Sequence, residues 1–153
     1  YKNKMNILIV RPGNIFGPHD KFDLVRSKVV PSLIRKFEEN KNVEVWGDGK
    51  DVKDFIYIED FVAILLRLMN MPFKFMIINV ASGKSISLKK IIDFLSKIYK
   101  IDKKNIKFNF NKPTMIPVRR INICKLKKLI KFKPKFTLEK GLLDTIKWYK
   151  RYN

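Results

Sequence analysis

The spacing of hydrophobic residues along this 153-residue chain separates predicted strands from predicted helices. Continuous apolar runs at 6–11 and 75–80, each followed by small or turn-forming residues, are typical of buried β-strands. Over 29–39, apolar side chains recur at intervals of three, four and seven residues, which predicts a helix with one buried face. The same spacing predicts a helix over 88–100, for which Ser87 is the candidate N-cap.

The rest of the chain continues this alternation of strands and helices. Asp60 is the candidate N-cap of a helix that runs to about Met69. Together with the composition, strands that alternate with helices predict an α/β fold, and no internal repeat or linker divides the chain. The further predicted elements are strands at 43–46, 54–58 and 106–110 and helices at 123–130 and 138–149.

Charge is the unusual feature of the composition. Lys and Arg number 34 against 14 acidic residues, which gives a net charge of +20. Such a field attracts polyanions, so a basic nucleic-acid-binding domain is one hypothesis. The basic residues are spread over all predicted helices and loops, however, and abundant Lys, Ile and Asn are typical of an AT-rich coding sequence. Nucleic acid is therefore the less favoured partner.

Several other classes of protein are not expected from this sequence. The hydrophobic fraction of 46% is that of a globular chain, and no apolar run reaches membrane-spanning length. No signal-peptide pattern opens the chain. A single cysteine, Cys124, excludes an internal disulfide, and a single histidine, His19, makes a zinc site unexpected. These features predict a cytoplasmic protein without a metal or a membrane partner.

The sequence Arg-Pro-Gly-Asn-Ile-Phe-Gly-Pro at 11–18 is the first segment that indicates chemistry. It carries the predicted strand at 6–11 into a predicted ligand loop at 12–26. Ligands of open α/β sheets lie beyond the carboxyl ends of the strands. Gly13 would allow a backbone N–H to approach a ligand, and Asn14 adds a side-chain donor and acceptor. The alternative is that Asn14 only satisfies its own turn.

The second such segment runs from 45 to 60. Trp46 offers a flat aromatic wall, and Gly47 after it allows close backbone approach. Plain core packing is an equally open interpretation for Trp46, because tryptophan is usually mostly buried. Lys53 places a positive charge in the following strand region.

Four motifs in order resemble the extended short-chain dehydrogenase/reductase family, the NAD-dependent nucleotide-sugar epimerases and dehydratases. Its members carry Arg-Pro-x-Asn-x-Tyr-Gly-Pro, then Gly-x-Gly with Arg-Asp-Phe and Val-x-Asp, then Asn-x-Gly-x-Gly and Ser. The corresponding residues here are 11–18, 47–60, 79–83 and Ser87. The tail from 117 to 149 also matches, so the resemblance covers essentially the whole chain.

The resemblance implies the C-terminal half of such an enzyme. The expected fold is the last strands and helices of a Rossmann-like doubly wound sheet plus a small α/β C-terminal substrate-binding domain, with 1–153 as a single partial unit. The family's dinucleotide turn, Gly-x-x-Gly-x-x-Gly, does not occur, and no Tyr-x-x-x-Lys precedes the Arg-Pro strand, where the family carries its catalytic pair. Tyr1 and Lys4 are one residue too close. We therefore expect the N-terminal dinucleotide-binding half to be absent and this chain alone to be inactive.

The resemblance also implies ligands and their contacts. NAD or NADP would lie beside Pro12 and Gly13, a nucleotide-diphosphate sugar would be the substrate, and the full-length protein would form a homodimer. Arg35 and Lys36 would lie near phosphates, unless they form only a solvated basic helix face. Lys53 replaces a family arginine and lacks its bidentate fork. The implied substrate contacts are Asn14, Val29, Leu33, Arg35, Lys36, Trp46, Gly47, Lys53 and Arg119.

Within the family, residues 19–37 are most similar to the GDP-L-fucose synthases, which epimerise and reduce a GDP-4-keto-6-deoxymannose. That branch has an acid/base histidine where this chain has Lys28. An ordinary lysine is a poor base at pH 7, because it titrates far above neutrality. The substitution favours another branch, a 4-epimerase, dehydratase or simple reductase. An inactive fragment remains a further alternative.

Overall fold

The structure, a computed structural model, describes residues 5–112 and 116–152. Strands and helices alternate along it, with one 3-10 turn at Lys103–Asn105. The strands are β1 Ile7–Pro12, β2 Asn14–Phe16, β3 Val43–Trp46, β4 Val52–Tyr57, β5 Phe75–Val80, β6 Ser85–Ser87, β7 Ile106–Asn109 and β8 Val118–Arg119. The helices are α1 Val29–Glu39, α2 Ile58–Met69, α3 Leu88–Tyr99, α4 Cys124–Ile130 and α5 Leu138–Tyr152.

Three groups of paired strands form the sheets. β1 pairs in parallel with β5, and β3 pairs in parallel with β7. In the third group, β4 pairs in parallel with β2 and β8 and antiparallel with β6. The predicted α/β class is therefore confirmed, with parallel pairing in every group and, among the described strands, one antiparallel pair, β4 with β6.

Two hydrophobic cores hold these sheets to the helices. The larger one joins α1, α3 and α5 and includes the fully buried Ile34, Leu95 and Leu142. The second joins α2 and α4 to the β1–β5 pair and includes Ile64 and Ile78. The apolar stripes that predicted α1 and α3 are the faces that these helices bury, so periodicity identified the core correctly.

One face of the β1–β5 pair remains exposed. Ile7 and Ile9 are 37% and 40% exposed, and Phe75, which lies beside Ile7 on β5, is 61% exposed. Among the described residues β1 pairs on one side only, with β5. An unpaired edge beside exposed apolar side chains favours association with further polypeptide.

Three short strands were not predicted. β2 lies inside the segment 12–26, which we expected to be a loop, and pairs with β4. β6 and β8 are three and two residues long and also pair with β4. Segments this short carry too few residues for a hydrophobic period, so their strand state comes from the pairing partner. The strands β3 and β4, which flank the Gly-Asp-Gly turn, do not pair with each other in the described structure.

The N-cap predictions need correction. α2 begins at Ile58, so Asp60 lies in its first turn and is not the cap. Its carboxylate instead accepts hydrogen bonds from the backbone N–H groups of Lys135 and Phe136, 2.9 and 3.2 Å away. Ser87 does occupy the N-cap position of α3, but its side chain makes no capping hydrogen bond.

Candidate functional site

The carboxyl end of β1 forms the first part of the candidate site. The Gly13 N–H donates to the Val80 carbonyl at 2.8 Å, so it is not presented to a ligand. A Cβ at this position would lie 3.1 Å from the Ala81 Cβ and 3.3 Å from the Asp54 carbonyl oxygen. Packing between β1, β4 and β5 therefore explains the glycine, and the reason we gave for it was wrong. Pro12 is exposed beside it, and a cofactor contact at these two residues stays a prediction.

Asn14 lies in β2 and connects this strand to its neighbour. Its Nδ2 donates to the Asp54 carbonyl oxygen at 2.9 Å. An amide nitrogen carries two hydrogens, so one is used within the fold and one remains for a ligand oxygen. Asn14 thus has a structural role beside any role in binding.

Asp54 is a residue of this region that sequence reasoning missed. Its carboxylate is 1% exposed and accepts hydrogen bonds from the Ser82 N–H, the Ser82 hydroxyl and the Gly83 N–H at 2.7–2.9 Å. Burial raises the pKa of Asp54, although these hydrogen bonds act to lower it. The aspartate fixes the turn after β5 next to Gly13. Its place in the Lys-Asp-Phe motif was the available signal, and we had interpreted it only as a strand position.

Lys53 and Arg119 face each other across β4 and β8. They are Cα partners in the parallel register. Lys53 is 9% exposed, and its Nζ lies 2.6 Å from Oδ2 of Asp51. Its charge is therefore paired with a carboxylate in a largely buried place, whereas Arg119 is exposed. Arg119 is the guanidinium that this part of the site presents to solvent.

Trp46 forms a second part of the site, at the end of β3. It is 48% exposed, so the core-packing interpretation was wrong. The ammonium groups of Lys36 and Lys112 lie 5.4 and 5.5 Å from the ring centroid, within cation–π distance. The Lys36 Nζ also donates to the Glu44 carbonyl at 2.8 Å. Burial lowers the pKa of Lys36, while the Glu44 carboxylate acts to raise it.

Gly47 follows Trp46 and turns the chain away from β3. Its φ of 75° lies in the left-handed region that favours glycine. Its N–H donates to the Asn109 carbonyl at 2.9 Å, so this N–H also serves the fold. The Asn109 side chain in turn donates to the Glu44 carboxylate at 2.6 Å, a hydrogen bond that lowers the pKa of Glu44.

Several α1 residues that were expected to contact the substrate are packed in the core instead. Leu33 is 4% exposed and Val29 packs against the same core, so both have packing roles. Arg35 is 9% exposed, and its Nε has no hydrogen-bond partner among the described residues. Burial raises the pKa of Tyr149, and the positive charge of Arg35 acts to lower it. Lys28 precedes α1 and is exposed. A phosphate contact of Arg35 therefore stays a prediction, for a side chain that is largely buried.

None of the helices described is both long and apolar enough to cross a membrane. Within 5–112 and 116–152, no three His, Cys, Asp or Glu side chains come together as a metal-binding group.

Comparisons with known proteins agree with the motifs. The model of the NAD dependent epimerase/dehydratase family matches residues 1–81. A dTDP-4-dehydro-6-deoxy-D-allose reductase from a Streptomyces species is 31% identical over 145 residues, covering 95% of this chain and 44% of the relative. A GDP-L-fucose synthase from Sinorhizobium fredii is 34% identical over 142 residues, covering 90% of this chain and 45% of the relative. The chain thus spans somewhat under half the length of these relatives.

Solved structures show the same fold. A UDP-N-acetylglucosamine 4-epimerase from Methanobrevibacter ruminantium, solved with UDP-N-acetylmuramic acid, has a TM-score of 0.85 at 26% identity over 97% of this chain and 47% of its own. A dTDP-glucose 4,6-dehydratase from Bacillus anthracis, solved with NAD, has a TM-score of 0.82 at 21% identity, covering 95% of this chain and 45% of its own. The Rossmann-like fold class implied by the resemblance is confirmed. The chain belongs to the NAD-dependent epimerase/dehydratase family.

Proposed function

We propose that this chain is the nucleotide-sugar-binding portion of an NAD(P)-dependent nucleotide-sugar epimerase, dehydratase or reductase. The observation that carries the proposal is the pairing of Arg119 with Lys53 on strands next to Asn14. A diphosphate carries negative charge that an exposed guanidinium can bind through two parallel hydrogen bonds. Arg119 is the principal phosphate contact in this proposal, and Lys53 is secondary because Asp51 already neutralises it.

Base and ribose recognition falls to the surface around Trp46. Its exposed ring and the ammonium groups above it offer apolar contact to a base and positive charge towards phosphates. The buried Leu33 and Arg35 act by supporting α1 and have no direct contact with ligand in this proposal. The ligand therefore extends from the region of Trp46 to Arg119.

In this proposal, a pyridine nucleotide contacts this chain only at the carboxyl end of β1. Pro12 is exposed at the carboxyl end of β1, and residues nearer the sheet are packed against protein. When bound, such a cofactor exchanges hydride with a sugar carbon. The residues of this chain bind and orient the nucleotide sugar in this proposal. The one Tyr-x-x-x-Lys spacing in 1–153, Tyr99 to Lys103, runs from the end of α3 to the 3-10 turn and does not precede β1, where the family carries the pair that moves the proton.

The type of reaction depends partly on Lys28. GDP-L-fucose synthase is the second candidate, favoured by the motifs in 19–37 and by the relative at 34% identity. Lys28 is exposed, and an ordinary lysine is a poor base at pH 7. We therefore favour a reaction that needs no second acid/base group on this segment, such as reduction or 4-epimerisation.

Binding of nucleoside diphosphates tests the proposal, with Arg119→Ala and Arg120→Ala as a matched pair. Both arginines are exposed and adjacent, but successive side chains on an extended segment point in opposite directions. Arg119→Ala should weaken binding of UDP, dTDP or GDP by about 1.5–3 kcal/mol in calorimetric titration, the usual worth of a charge-assisted hydrogen bond. Arg120→Ala should change the affinity less than about threefold, a difference below 1 kcal/mol.

The matching nucleosides serve as ligands without phosphate. Their affinity should be the same in the parent chain and in Arg119→Ala. An equal loss for nucleoside and nucleoside diphosphate would mean that Arg119 supports the fold, and no binding of any nucleoside diphosphate would refute the proposed function. In the same samples, we expect no turnover of a nucleotide sugar by this chain alone.

A further inference from the structure

The basic residues of this chain are spread widely, but its acidic residues are not. The segment 103–138 contains twelve of the 34 Lys and Arg residues and none of the 14 Asp and Glu residues. Its charge of +12 is therefore more than half of the net +20, in less than a quarter of the chain. AT-rich coding explains many lysines, but it does not explain the absence of acidic residues from one continuous segment.

The segment follows the candidate site from one end to the other. At its start, the Lys112 ammonium lies 5.5 Å from the Trp46 ring centroid. Further along, Arg119 is the register partner of Lys53. Next, the Ile121 Cδ1 lies 3.4 Å from the position of a Cβ on Gly13. The same acid-free segment thus borders the site at β3, at β4 and at the end of β1.

The charges of this segment face solvent. Every one of its twelve basic residues is exposed. Of the ion pairs formed among the described residues, only those of Lys103 and Lys104, with Asp93 and Asp102 at 3.5 and 3.6 Å, involve the segment. The basic residues are Lys103, Lys104, Lys107, Lys112, Arg119, Arg120, Lys125, Lys127, Lys128, Lys131, Lys133 and Lys135.

We propose that the twelve basic residues within 103–112 and 116–138 form a positively charged collar that steers ligands with two or more negative charges into the nucleotide-sugar site. The inference rests on the proposed function and deepens it, because it assigns the rate and charge selectivity of ligand entry to residues that need not touch the ligand. Clustered charge of one sign raises association rates by about 10-fold to 1000-fold at low salt. Screening removes this effect once the Debye length, about 10 Å at 0.1 M salt, becomes shorter than the distance to the ligand.

Steering predicts that the association rate depends on the charge of the ligand, which contacts within the site alone do not predict. A nucleoside diphosphate is attracted from solution, whereas a neutral nucleoside meets the same site without this attraction. The collar therefore acts on the association rate of the charged ligand and leaves the dissociation rate largely unchanged. Contacts such as that of Arg119 act mainly on dissociation.

Two triple variants with the same change in net charge test the collar. The first, Lys107→Gln, Lys127→Gln and Lys128→Gln, removes three charges from the segment. The second, Lys41→Gln, Lys97→Gln and Lys147→Gln, removes three equally exposed charges elsewhere. Stopped-flow fluorescence would measure association of an N-methylanthraniloyl nucleoside diphosphate, and of the same labelled nucleoside, from about 0.02 to about 0.5 M salt, a range that spans strong and weak screening.

The collar variant should slow diphosphate association about tenfold at the lowest salt, within the range expected of steering. The control variant should slow it less than about threefold, and at 0.5 M salt all three proteins should agree within about twofold, as screening requires. Association of the labelled nucleoside should not depend on salt or variant. Circular dichroism and urea unfolding of the variants verify that they are folded.

Equal slowing by both triple variants would overturn the collar, since it would mean that only the total charge matters. The proposed function would survive that result, because the diphosphate would still bind at 0.5 M salt. An absence of diphosphate binding at every salt concentration would refute both. If a single-stranded RNA of about 20 nucleotides binds at 0.15 M salt, blocks the diphosphate and is released in the collar variant, the segment is a nucleic-acid surface and the steering proposal is wrong.

Discussion

Replacing Asp60 with Ala should loosen the attachment of the segment before α5 to the first turn of α2. The Asp60 carboxylate is 2% exposed and accepts the N–H groups of Lys135 and Phe136 at 2.9 and 3.2 Å. These residues are 75 and 76 positions away in sequence, so the two hydrogen bonds close a long loop. Among the described residues, no other side chain of α2 hydrogen-bonds to the segment before α5, so the loss of these two bonds is not compensated locally.

The size of the effect follows from the two hydrogen bonds. Each bond to an ionised acceptor contributes a net ~1.5–3 kcal/mol. Relief from burying the carboxylate offsets part of this loss, and water replaces part of the bond at the exposed Lys135. We therefore expect the free energy of unfolding to fall by about 2–3 kcal/mol in Asp60→Ala. For a domain of this size, that corresponds to a melting temperature about 4–12 °C lower.

Urea unfolding followed by circular dichroism at 222 nm measures this change. Asp60→Asn should fall between the parent and Asp60→Ala, since its amide oxygen still accepts one N–H. Asp93→Asn is the control, because this carboxylate has only a surface ion pair at 3.5 Å to Lys103 and should cost under about 0.5 kcal/mol. A value for Asp60→Ala within 0.5 kcal/mol of the parent, at an unchanged m-value, would refute the structural role assigned to this carboxylate.

Three further predictions concern charge and exposed surface. The double-mutant cycle of Lys53→Gln and Asp51→Asn should give a coupling energy of at least about 1 kcal/mol in urea unfolding. Each single change leaves the charge of the other residue largely buried and without its partner. Additive losses in the free energy of unfolding would contradict this. Burial raises the pKa of Asp54 above 3.8, so the free energy of unfolding should fall as pH rises from the unfolded-state pKa to the raised pKa of the folded state. Asp54→Asn should remove that fall; the same pH dependence of the free energy of unfolding in both proteins between pH 3.5 and 6 would contradict this. Ile9 is 40% exposed on β1, a strand with one unpaired edge in the described structure, and should promote association. Ile9→Lys should therefore shift sedimentation velocity profiles towards monomer; an unchanged profile would show that this face is not involved.

The elements that were predictable from sequence are those whose own residues bury a face. The stripe of α3 and the apolar run of β5 decide those elements locally, because a helix or strand of that length buries enough surface to fix its state. β8 has two residues and depends entirely on its register with β4, which lies more than 60 residues away. No local pattern carries such a distant pairing, so short strands were missed while long elements were found.

The same limit explains the site residues. Motif order alone identified Asn14, Lys53 and Arg119, which the fold brings to adjacent strands. The partners that define their chemistry were not predictable, because Asp51 neutralises Lys53 through a side-chain contact that only the folded chain creates. Likewise, nothing in the spacing of Arg35 indicated that its position on α1 turns inward.

The backbone donors of this site are largely committed to the fold, and this determines how it can bind an anion. The N–H groups of Gly13, Gly47 and Gly83 donate to Val80, Asn109 and Asp54 respectively, at 2.8–2.9 Å. A glycine-lined backbone cradle, as in a phosphate-binding loop, is therefore not formed by these residues. In the proposed function, recognition of a diphosphate therefore falls to side chains, chiefly the exposed Arg119 and the lysines around it. Because exposed cations are screened by salt whereas buried backbone donors are not, the affinity for a diphosphate should decline steadily with ionic strength.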